Sequence, residues 1–462
     1  MQPNIPYKFF FTKFFSANDS RATITERINQ QIRHVFNLAC REEYDALLVA
    51  GLGFASPVLA DDGHPKGEAQ NDRGLRLLSL TPVPVAKANT TPGMYVFDIS
   101  FVDQATQTYY LADRSNAAVD VVDAASGKFI EQIQASPAFA GFVSIGGVAH
   151  NELSGPDGVV SAFPWLFVTD AGSRVVSFDL RTTPPTQVSD VTTKAGDPLR
   201  ADELAYDPED GLILAINNAD TPAPFGTLIS VDKNTGKLTV GKRITFDAAH
   251  GVDATNGAEQ PIWDPSTHRF YLSIPQIGAT VSNGGVVRIN PATATVEATY
   301  PVSSCGPAGL SRGPGEDGRH DALIGCNLVF DTTGTTVWSA TDPNPADPRD
   351  VIIDLASGSI DREIFGAGAG DEVWYNPGDN NFYAPSGFGA NPTVTVIDGD
   401  SGEVTGTLPA GPGSHSVAAY RGNNHIFVPI AIPTAAAPSD ACNVMFGMPE
   451  KHGCIAVYAH EK

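Results

Sequence analysis

The chain is poor in basic residues, in charged residues generally and in long apolar runs. It has 462 residues, of which 29 are Lys or Arg and 52 are Asp or Glu, so its formal net charge is -23 at pH 7. A surface this acidic disfavours nucleic acid, which proteins bind through basic surfaces that release counterions. No apolar run reaches the length of a membrane span. We therefore expect a small-molecule ligand, with a protein partner also possible, and neither a nucleic-acid partner nor a membrane span.

Cysteine is also scarce, and its spacing excludes the common zinc motifs. The five cysteines include no CxxC pair, which is the usual spacing of zinc ligands. Four of them form two local pairs, Cys305 with Cys326 and Cys442 with Cys454. We read each pair as a disulfide that closes an irregular loop and stabilises the fold by about 3 kcal/mol, which implies an oxidising compartment. Four free, buried thiols are the alternative.

The first 60 residues resemble a leader more than part of a folded domain. Residues 46–60, ALLVAGLGFASPVLA, end in Val-Leu-Ala before two Asp residues, like the apolar core and cleavage site of a secretory signal peptide. The preceding REEYDA is acidic where such a signal is basic, which a start codon placed too far upstream would explain. We expect a periplasmic or secreted protein that begins near Asp61, leaves Cys40 behind and forms one domain over 61–462. The alternative is an N-terminal amphipathic helix over TITERINQQIRHVFNLA.

Glycine and proline are abundant, with 45 and 35 residues, and predict many short strands joined by tight turns. Three segments align without gaps: DELAYDPEDGLILAIN from Asp202, EQPIWDPSTHRFYLSI from Glu259 and DEVWYNPGDNNFYAPS from Asp371. Each predicts a hairpin with an Asp-Pro or Asn-Pro turn. Weaker copies begin at Phe97, Cys326 and Ser414.

A third strand follows each hairpin and ends in a polar turn of the form V-x-x-x-D-x-x-[ST]-G. The repeats begin near 95, 140, 201, 256, 322, 369 and 412. They predict an all-β fold, a seven-bladed β-propeller with four-stranded antiparallel blades. The N-terminal strand GLRLLSLTPVPV, from Gly74, should pair with the C-terminal strands, IAVYA among them, and so close the ring.

The polar turn resembles that of the YVTN/YncE-like, lactonase-type seven-bladed propellers. The resemblance spans roughly residues 74–460 and is carried by Val122–Gly127, Val231–Gly236 and Ile397–Gly402. It implies a lactonase-like hydrolase, a non-catalytic YncE-like binding or scaffold protein, or the propeller subunit of a redox complex. The metal-binding signature of gluconolactonase-type propellers, N-G-[LI]-x-x-[ST]-x-D-G, has no match here, so that metal site is not carried over.

Polar pairs recur where the first strand of a repeat begins. They are Asp202–Glu203, Glu259–Gln260, Asp371–Glu372 and His415–Ser416, with Asp98–Ile99 and Cys326–Asn327 as weaker equivalents. Equivalent positions of a cyclic repeat surround its axis, so we expect these residues to meet at one mouth of a central channel. His150, His250 and His320 precede first strands in the same way. The tryptophans at 165, 263, 338 and 374 are expected on first strands, packed between blades.

Carboxylates that converge in this way must bind a cation, hold protons or pair with basic residues such as Arg312 and Arg319. Carboxylate and histidine ligands favour a divalent metal, whose identity stays open. The expected metal ligands are Glu259, His415 and His150. The candidate catalytic residues are Glu203, Glu259 and His415, and the candidate ligand-binding residues are Asp202, Asp371, Glu372, His150 and His250. The alternative is that the acidic residues lock the blades together by accepting hydrogen bonds from backbone amides.

Overall fold

The structure is a computed structural model. It describes residues 74–314, 320–330, 333–334, 337, 349–367, 370–386, 392–411, 413–432, 441–447 and 452–460. The predicted leader, Cys40, Arg319 and Trp338 lie outside the described residues. The described part of the chain falls within one compact unit and contains no helix that is long and apolar enough to cross a membrane.

The described strands form antiparallel groups of four, which we call units and number along the chain. Unit 1 follows strand β1 (Leu75–Pro82) and contains β2 (Ser100–Asp103), β3 (Thr108–Asp113), β4 (Ala118–Asp123) and β5 (Lys128–Ile133). A small hairpin, β6 (Ser144–Ile145) and β7 (Val148–Ala149), and a 3-10 helix over Asn151–Leu153 come next. Unit 2 contains β8 (Val159–Ala162), β9 (Trp165–Asp170), β10 (Arg174–Asp179) and β11 (Thr186–Thr192).

The middle of the chain provides units 3, 4 and 5. Unit 3 contains β12 (Leu204–Asp207), β13 (Leu212–Asn217), β14 (Phe225–Val231) and β15 (Leu238–Thr245), and a 3-10 helix over Ala248–His250 follows it. Unit 4 contains β16 (Pro261–Asp264), β17 (Arg269–Ile274), β18 (Asn283–Asn290) and β19 (Thr295–Ser303). Unit 5 contains β20 (Cys305–Arg312), β21 (Asp321–Val329), β22 (Arg349–Asp354) and β23 (Ile360–Phe365). A parallel pair, Asn283 with Cys305, joins units 4 and 5 into one sheet.

The C-terminal part provides units 6 and 7. Unit 6 contains β24 (Trp374–Asn376), β25 (Asn381–Ser386), β26 (Thr393–Asp398) and β27 (Val404–Pro409). Unit 7 contains β28 (Ala418–Tyr420), β29 (His425–Ile430) and β30 (Cys454–His460), with helix α1 (Ala441–Phe446) between the last two. Its fourth strand is β1, which pairs with β30 in a register that sets Leu77 opposite Tyr458. The predicted pairing of the N-terminal strand with the C-terminus is therefore confirmed.

The first strands of successive units are neighbours. Strand β2 contacts β8, and the contacts continue from β8 to β12, β16, β20, β24 and β28, which in turn contacts β2. Backbone hydrogen bonds join several neighbours, such as Gly158 N to Asp202 O at 3.0 Å and Glu372 N to His415 O at 2.8 Å. The first strands therefore lie side by side around a common space, and the later strands of each unit lie farther out.

The core lies between the units, because both faces of each sheet are covered. Side chains alternate along a strand, and in β13 this places Ile213 in a cluster with unit 2 and Leu214 in a cluster with unit 4. Both side chains are fully buried. This explains why the second strands are continuous apolar runs, since a strand that is buried on both faces has no polar side.

The polar turn predicted between third and fourth strands is present. In unit 1, the Asp123 carboxylate accepts the backbone N–H of Ser126 at 2.7 Å, and in unit 6 Asp398 accepts that of Ser401 at 2.8 Å. The glycine that closes the first of these turns, Gly127, has a φ of 69°, a conformation that other residues rarely adopt. The geometry of the turn therefore explains why Asp and Gly recur in the repeats.

Two units begin elsewhere than predicted. In unit 2 the residues after 140 form the small hairpin and the 3-10 helix, and the first strand β8 starts at Val159. In unit 5 the first hairpin is β20–β21, so Cys326–Asn327 lies in a second strand and is not equivalent to the polar pairs. The segment between Cys305 and Cys326 is therefore largely a hairpin and not an irregular loop.

Both predicted disulfides are confirmed. The Cys305–Cys326 bond joins the two strands of the first hairpin of unit 5. The Cys442–Cys454 bond joins helix α1 to the start of β30. Each bond therefore holds a segment next to a strand of its own unit.

Candidate functional site

A polar residue precedes the first strand of six units at equivalent positions, which we call the first positions. Asp98, Asp157, Asp202 and Glu259 lie two residues before β2, β8, β12 and β16, and Asp371 and His415 lie three residues before β24 and β28. Because the first strands are neighbours, these side chains come together at one end of the space that they enclose.

Two arginines neutralise part of this acidic group. The Arg114 guanidinium forms ion pairs with Asp98 and Asp157, in which Nη2 is 2.6 Å from Asp157 Oδ1. Arg200 Nη1 lies 3.0 Å from Asp202 Oδ1, 3.3 Å from Asp98 Oδ2 and 3.4 Å from Asp157 Oδ1. All five side chains are almost completely buried. Three carboxylates from units 1, 2 and 3 thus share two guanidinium groups.

His415 extends the network toward unit 7. Its Nε2 lies 3.7 Å from Asp98 Oδ1, its Nδ1 lies 2.6 Å from the carbonyl oxygen of Gly413, and its ring stacks on Phe97 at 4.7 Å. Burial lowers the pKa of His415, but the hydrogen bond to Asp98 and the charges of Asp371 and Asp98 outweigh burial, so that the net shift is upward. The imidazole is therefore predisposed to be a cation beside these carboxylates.

Burial and nearby charges give the three carboxyl groups of this network different pKa values. Burial raises the pKa of Asp98, but Arg114, His415 and Arg200 outweigh burial and hold it well below its usual range. Burial dominates at Asp157 and Asp202 and raises the pKa of both well above the usual range, against the opposing effect of Arg200. The network therefore holds protons as well as ion pairs.

A second set of polar residues follows immediately along the strands. Glu372 accepts the backbone N–H of Ser100 at 3.0 Å and also accepts the hydroxyl of Ser416, which lies 2.8 Å from Ser100 Oγ. Gln260 accepts the backbone N–H of Leu310 at 2.6 Å. Burial raises the pKa of Glu372 to about 8, and its hydrogen bonds to Ser416 and Ser100 only partly oppose this shift.

Among the described residues, Glu203 is the member of this second set whose side chain has no hydrogen-bond partner. It is only 5 % exposed, and the described residues provide neither a hydrogen bond nor an ion pair to its carboxyl group. Burial raises its pKa well above the usual range, and the charges of Asp202, Asp371 and Glu259 add to the shift. Glu203 thus combines a raised pKa with a buried carboxyl group that has no hydrogen-bond partner among the described residues.

Glu203 and Glu372 line a cavity of about 860 Å³, which the first strands of units 1 to 6 enclose. The first-position residues do not line it, so the cavity begins immediately beyond the arginine network. It extends to the turns after the first strands, where Pro208, Arg312, Pro377 and Asn380 lie. Its five aromatic lining residues are Phe101, Tyr206, Trp263, Trp374 and Tyr375.

Two tryptophans of the lining contact other aromatic rings, one within its own unit and one between units 6 and 1. Trp263 packs against Phe270 with centroids 4.8 Å apart, and Trp374 meets Phe101 edge to face at 5.6 Å. These contacts confirm that Trp263 and Trp374 lie on first strands and pack in the core. Trp165, in contrast, begins the second strand β9 and donates its indole N–H to Lys233 O at 3.0 Å.

Most of the predicted site residues come together. Glu203 interacts electrostatically with Asp202, Glu259, Asp371 and Glu372, and His415 joins them through Asp98. The backbone of the first positions also bonds neighbouring units, and the Glu372 side chain accepts a backbone N–H from another unit, that of Ser100.

Four predicted residues have other contacts. His250 is 61 % exposed and pairs with Asp247 at 2.6 Å, His320 lies 2.8 Å from the Ser266 hydroxyl, and Arg312 is 3.6 Å from Asp264. His150 precedes the 3-10 helix, and its carbonyl accepts the hydroxyl of Ser154 at 2.9 Å. The structure therefore does not place His250 or His320 with the carboxyl cluster.

Sequence reasoning missed Asp157, Arg114 and Arg200. Asp157 stands two residues before a first strand, as Asp202 does, but its segment GPDGVVSA lacks the Asp-Pro turn that revealed the other copies. The arginines lie in loops outside the aligned hairpins. An alignment by strand position, rather than by turn motif, would have found Asp157.

Within the described residues, one group of three acidic ligand atoms is close enough to hold a metal ion, that of Asp98, Asp157 and Asp202. Its carboxylates already pair with Arg114 and Arg200, which argues against a metal at that point. The predicted ligands Glu259, His415 and His150 are not part of this group and stay a prediction.

Comparisons with known proteins identify the fold. No protein-family model and no curated protein matches the chain. Hydrazine synthase of Kuenenia stuttgartiensis is similar in structure, with a TM-score of 0.55 and 14 % identity over 75 % of this chain and 95 % of that one. The Pan2 WD40 domain of Neurospora crassa has a TM-score of 0.53 and 11 % identity over 85 % of this chain and 98 % of that one. WD40 domains are β-propellers, and these likenesses, with the four-stranded units, define a propeller-like, all-β protein.

Proposed function

We propose that the protein is an exported, seven-bladed β-propeller that binds a small organic molecule in the cavity between its first strands. The neighbour relations of the first strands and the pairing of β1 with β30 support a ring of seven blades closed by the N-terminal strand. The two disulfides support an oxidising, extracytoplasmic location. The resemblance to YncE-like and lactonase-type propellers is part of this proposal.

One observation carries the binding function: the cavity combines aromatic walls with buried carboxyl groups at one end. Its volume of about 860 Å³ lies in the range of small-molecule sites, which are mostly apolar and contain few polar groups. Glu203 has no partner within the described residues, although buried polar groups are normally hydrogen-bonded. A bound molecule would supply that partner.

Ligand screening by thermal shift and tryptophan fluorescence tests the proposal. A ligand of the cavity should raise Tm, change the emission of Trp263 and Trp374, and bind more weakly to Trp374→Phe. Trp165→Phe is the matched control, because Trp165 does not line the cavity. Ligands whose binding is equally insensitive to both substitutions, or the absence of any ligand in a broad screen, would overturn the proposal.

Hydrolysis of an ester or lactone is the second candidate function, and the raised pKa of Glu372, about 8, favours it. A general acid must hold its proton near neutral pH, and Glu203 and Glu372 both face the cavity. Turnover of aryl esters and lactones should be lost in Glu203→Gln and kept in Glu209→Gln, whose parent side chain is 61 % exposed. Elemental analysis of the same protein tests the predicted divalent metal.

A further inference from the structure

We propose that the cavity binds an organic cation, an amine or quaternary ammonium whose charge lies near Glu203 and Glu372 and whose carbon atoms contact the aromatic walls. The inference rests on the proposed binding function and adds the chemical class of the ligand.

Several buried carboxyl groups lie at one end of the cavity. Asp98, Asp157 and Asp202 already form ion pairs with Arg114 and Arg200. Glu203, Glu259, Asp371 and Glu372 add four carboxyls that act on one another. The basic groups that act on Asp371 are His415, Arg200 and Arg114. His415 also acts on Glu372. Among the described residues, Glu203 thus has no basic partner of its own, and a bound cation would let Glu203 and Glu372 ionise together without mutual repulsion.

The position of Glu203 leaves its carboxyl group open to a ligand in the cavity. Its side chain lines the cavity, is 5 % exposed and receives no hydrogen bond from the described residues. The equivalent positions of units 2 and 5 are Gly158 and Gly309, where a Cβ would lie 2.7 Å from Asp202 O and 2.8 Å from Asp371 O. The neighbouring backbones thus exclude larger residues there, and the Glu203 carboxyl has no competing side chain at those two positions.

Five aromatic residues form part of the cavity wall. Phe101, Tyr206, Trp263, Trp374 and Tyr375 all line the cavity. Aromatic faces attract cations within about 6 Å of the ring centroid, and they favour weakly hydrated ones such as quaternary ammonium groups. A metal ion would find few oxygen ligands on this wall. The basic residue of the lining, Arg312, is 39 % exposed at the far end of the cavity and lies 3.6 Å from Asp264.

The alternative ligand is a neutral molecule that accepts hydrogen bonds from protonated Glu203 and Glu372, and pH separates the two. A cation favours the ionised carboxylates, so its affinity should rise as pH increases toward the Glu372 pKa of about 8. The affinity of a neutral acceptor should fall over the same range. The groups that face Glu372 include Ser100, Ser416, His415, Tyr109 and Glu203. Loss of the His415 charge at high pH would strengthen cation binding further.

Calorimetric titration of the mature protein with choline, tetraethylammonium and 3,3-dimethylbutan-1-ol tests the inference. The alcohol is the uncharged carbon isostere of choline. We expect choline to bind at least about tenfold more tightly than the isostere, with an affinity that rises between about pH 6 and 8. Glu203→Gln should weaken choline binding about tenfold or more, and Glu209→Gln should leave it unchanged.

The other outcomes separate a failure of the cation inference from a failure of the proposed binding function. If the isostere binds as tightly as choline, or if affinity falls as pH rises, the ligand is neutral; the inference is then overturned and the binding function stands. If neither cation binds but uncharged or anionic molecules from the ligand screen bind in a way that depends on Trp374, the inference fails and the binding function again stands. If no molecule of any charge binds, both are overturned.

Discussion

The carboxylate of Glu372 accepts the backbone N–H of Ser100 at 3.0 Å, although 272 positions separate the two residues in the chain. The contact joins unit 6 to the first strand of unit 1, with the hydroxyl of Ser416 from unit 7 on the same carboxylate. Glu372 is almost fully buried. Units 1, 6 and 7, which lie near the two ends of the described chain, therefore meet at the Glu372 carboxyl group.

This carboxyl group predicts how stability depends on pH. Burial raises the pKa of Glu372 from 4.5 to about 8, so within this window the folded protein holds a proton that the unfolded chain releases. The free energy of unfolding should therefore decrease by up to about 1.4 kcal/mol per pH unit as pH rises from about 4.5 to about 8. Glu372→Gln resembles the protonated form and should remove this contribution, as urea unfolding across the pH range would show.

The control for this experiment is Glu209→Gln, which replaces an exposed carboxyl group of unit 3. Its stability should follow that of the wild type at every pH. The advantage of Glu372→Gln over the wild type should grow with pH. A constant difference between Glu372→Gln and wild type would show that Glu372 does not hold its proton in the folded protein.

The arginine network predicts a large effect of Arg200. Its guanidinium contacts Asp98, Asp157 and Asp202 within 3.4 Å, and its side chain is only 10 % exposed. Arg200→Met should lower the free energy of unfolding by about 3–5 kcal/mol, because it removes the described ion-pair partner of buried Asp202 and leaves Asp98 and Asp157 with Arg114 alone. Chemical denaturation measures the loss.

Arg181→Met provides the comparison, because Arg181 is half exposed and pairs with Asp179 at the surface. It should cost far less than Arg200→Met, because solvent screens an ion pair at the surface. If both variants lost the same small amount, the network around Asp98 would not be an important source of stability.

The disulfides predict redox-sensitive stability. The Cys442–Cys454 bond closes a loop with a sequence separation of 12, and replacing both cysteines by Ala should cost about 3 kcal/mol. The reducing agent dithiothreitol should lower Tm of the wild type and leave that of a variant without all four cysteines unchanged. Peptide mapping of protein from its native compartment should find both bonds, and four free thiols there would contradict the proposed export.

Export also predicts the start of the mature chain. N-terminal sequencing of protein from its native source should find a first residue near Asp61. A chain that begins at Met1 would show that residues 1–60 are not a cleaved leader.

Local chemistry made much of the fold predictable from the sequence. The polar turn at Asp123 and the pairing of β1 with β30 follow from turn residues and alternating strands, which neighbouring positions reveal. The first strands of units 2 and 5 were not recognised in the sequence, because GPDGVVSA and CGPAGLSR lack the Asp-Pro turn. For those two units, strand register depends on packing against neighbouring units.

The candidate site was predictable in its acidic half only. Glu203, Glu259 and Glu372 belong to the repeat, so its symmetry brings them together. Arg114 and Arg200 stand outside the repeat. Arg114 pairs with Asp98 within unit 1, whereas Arg200 precedes unit 3 and reaches Asp98 because units 1 and 3 are both neighbours of unit 2. No local pattern reports such a contact between distant segments.

A crystal structure of the mature protein soaked with arsenocholine, the arsenic analogue of choline, tests the central claim most directly, because arsenic scatters anomalously and marks the cationic centre. We predict one anomalous peak inside the cavity, beside Glu203 and Glu372 and within about 6 Å of the ring centroid of Trp263 or Trp374. A cavity that contains no arsenic peak at saturating arsenocholine would contradict the account.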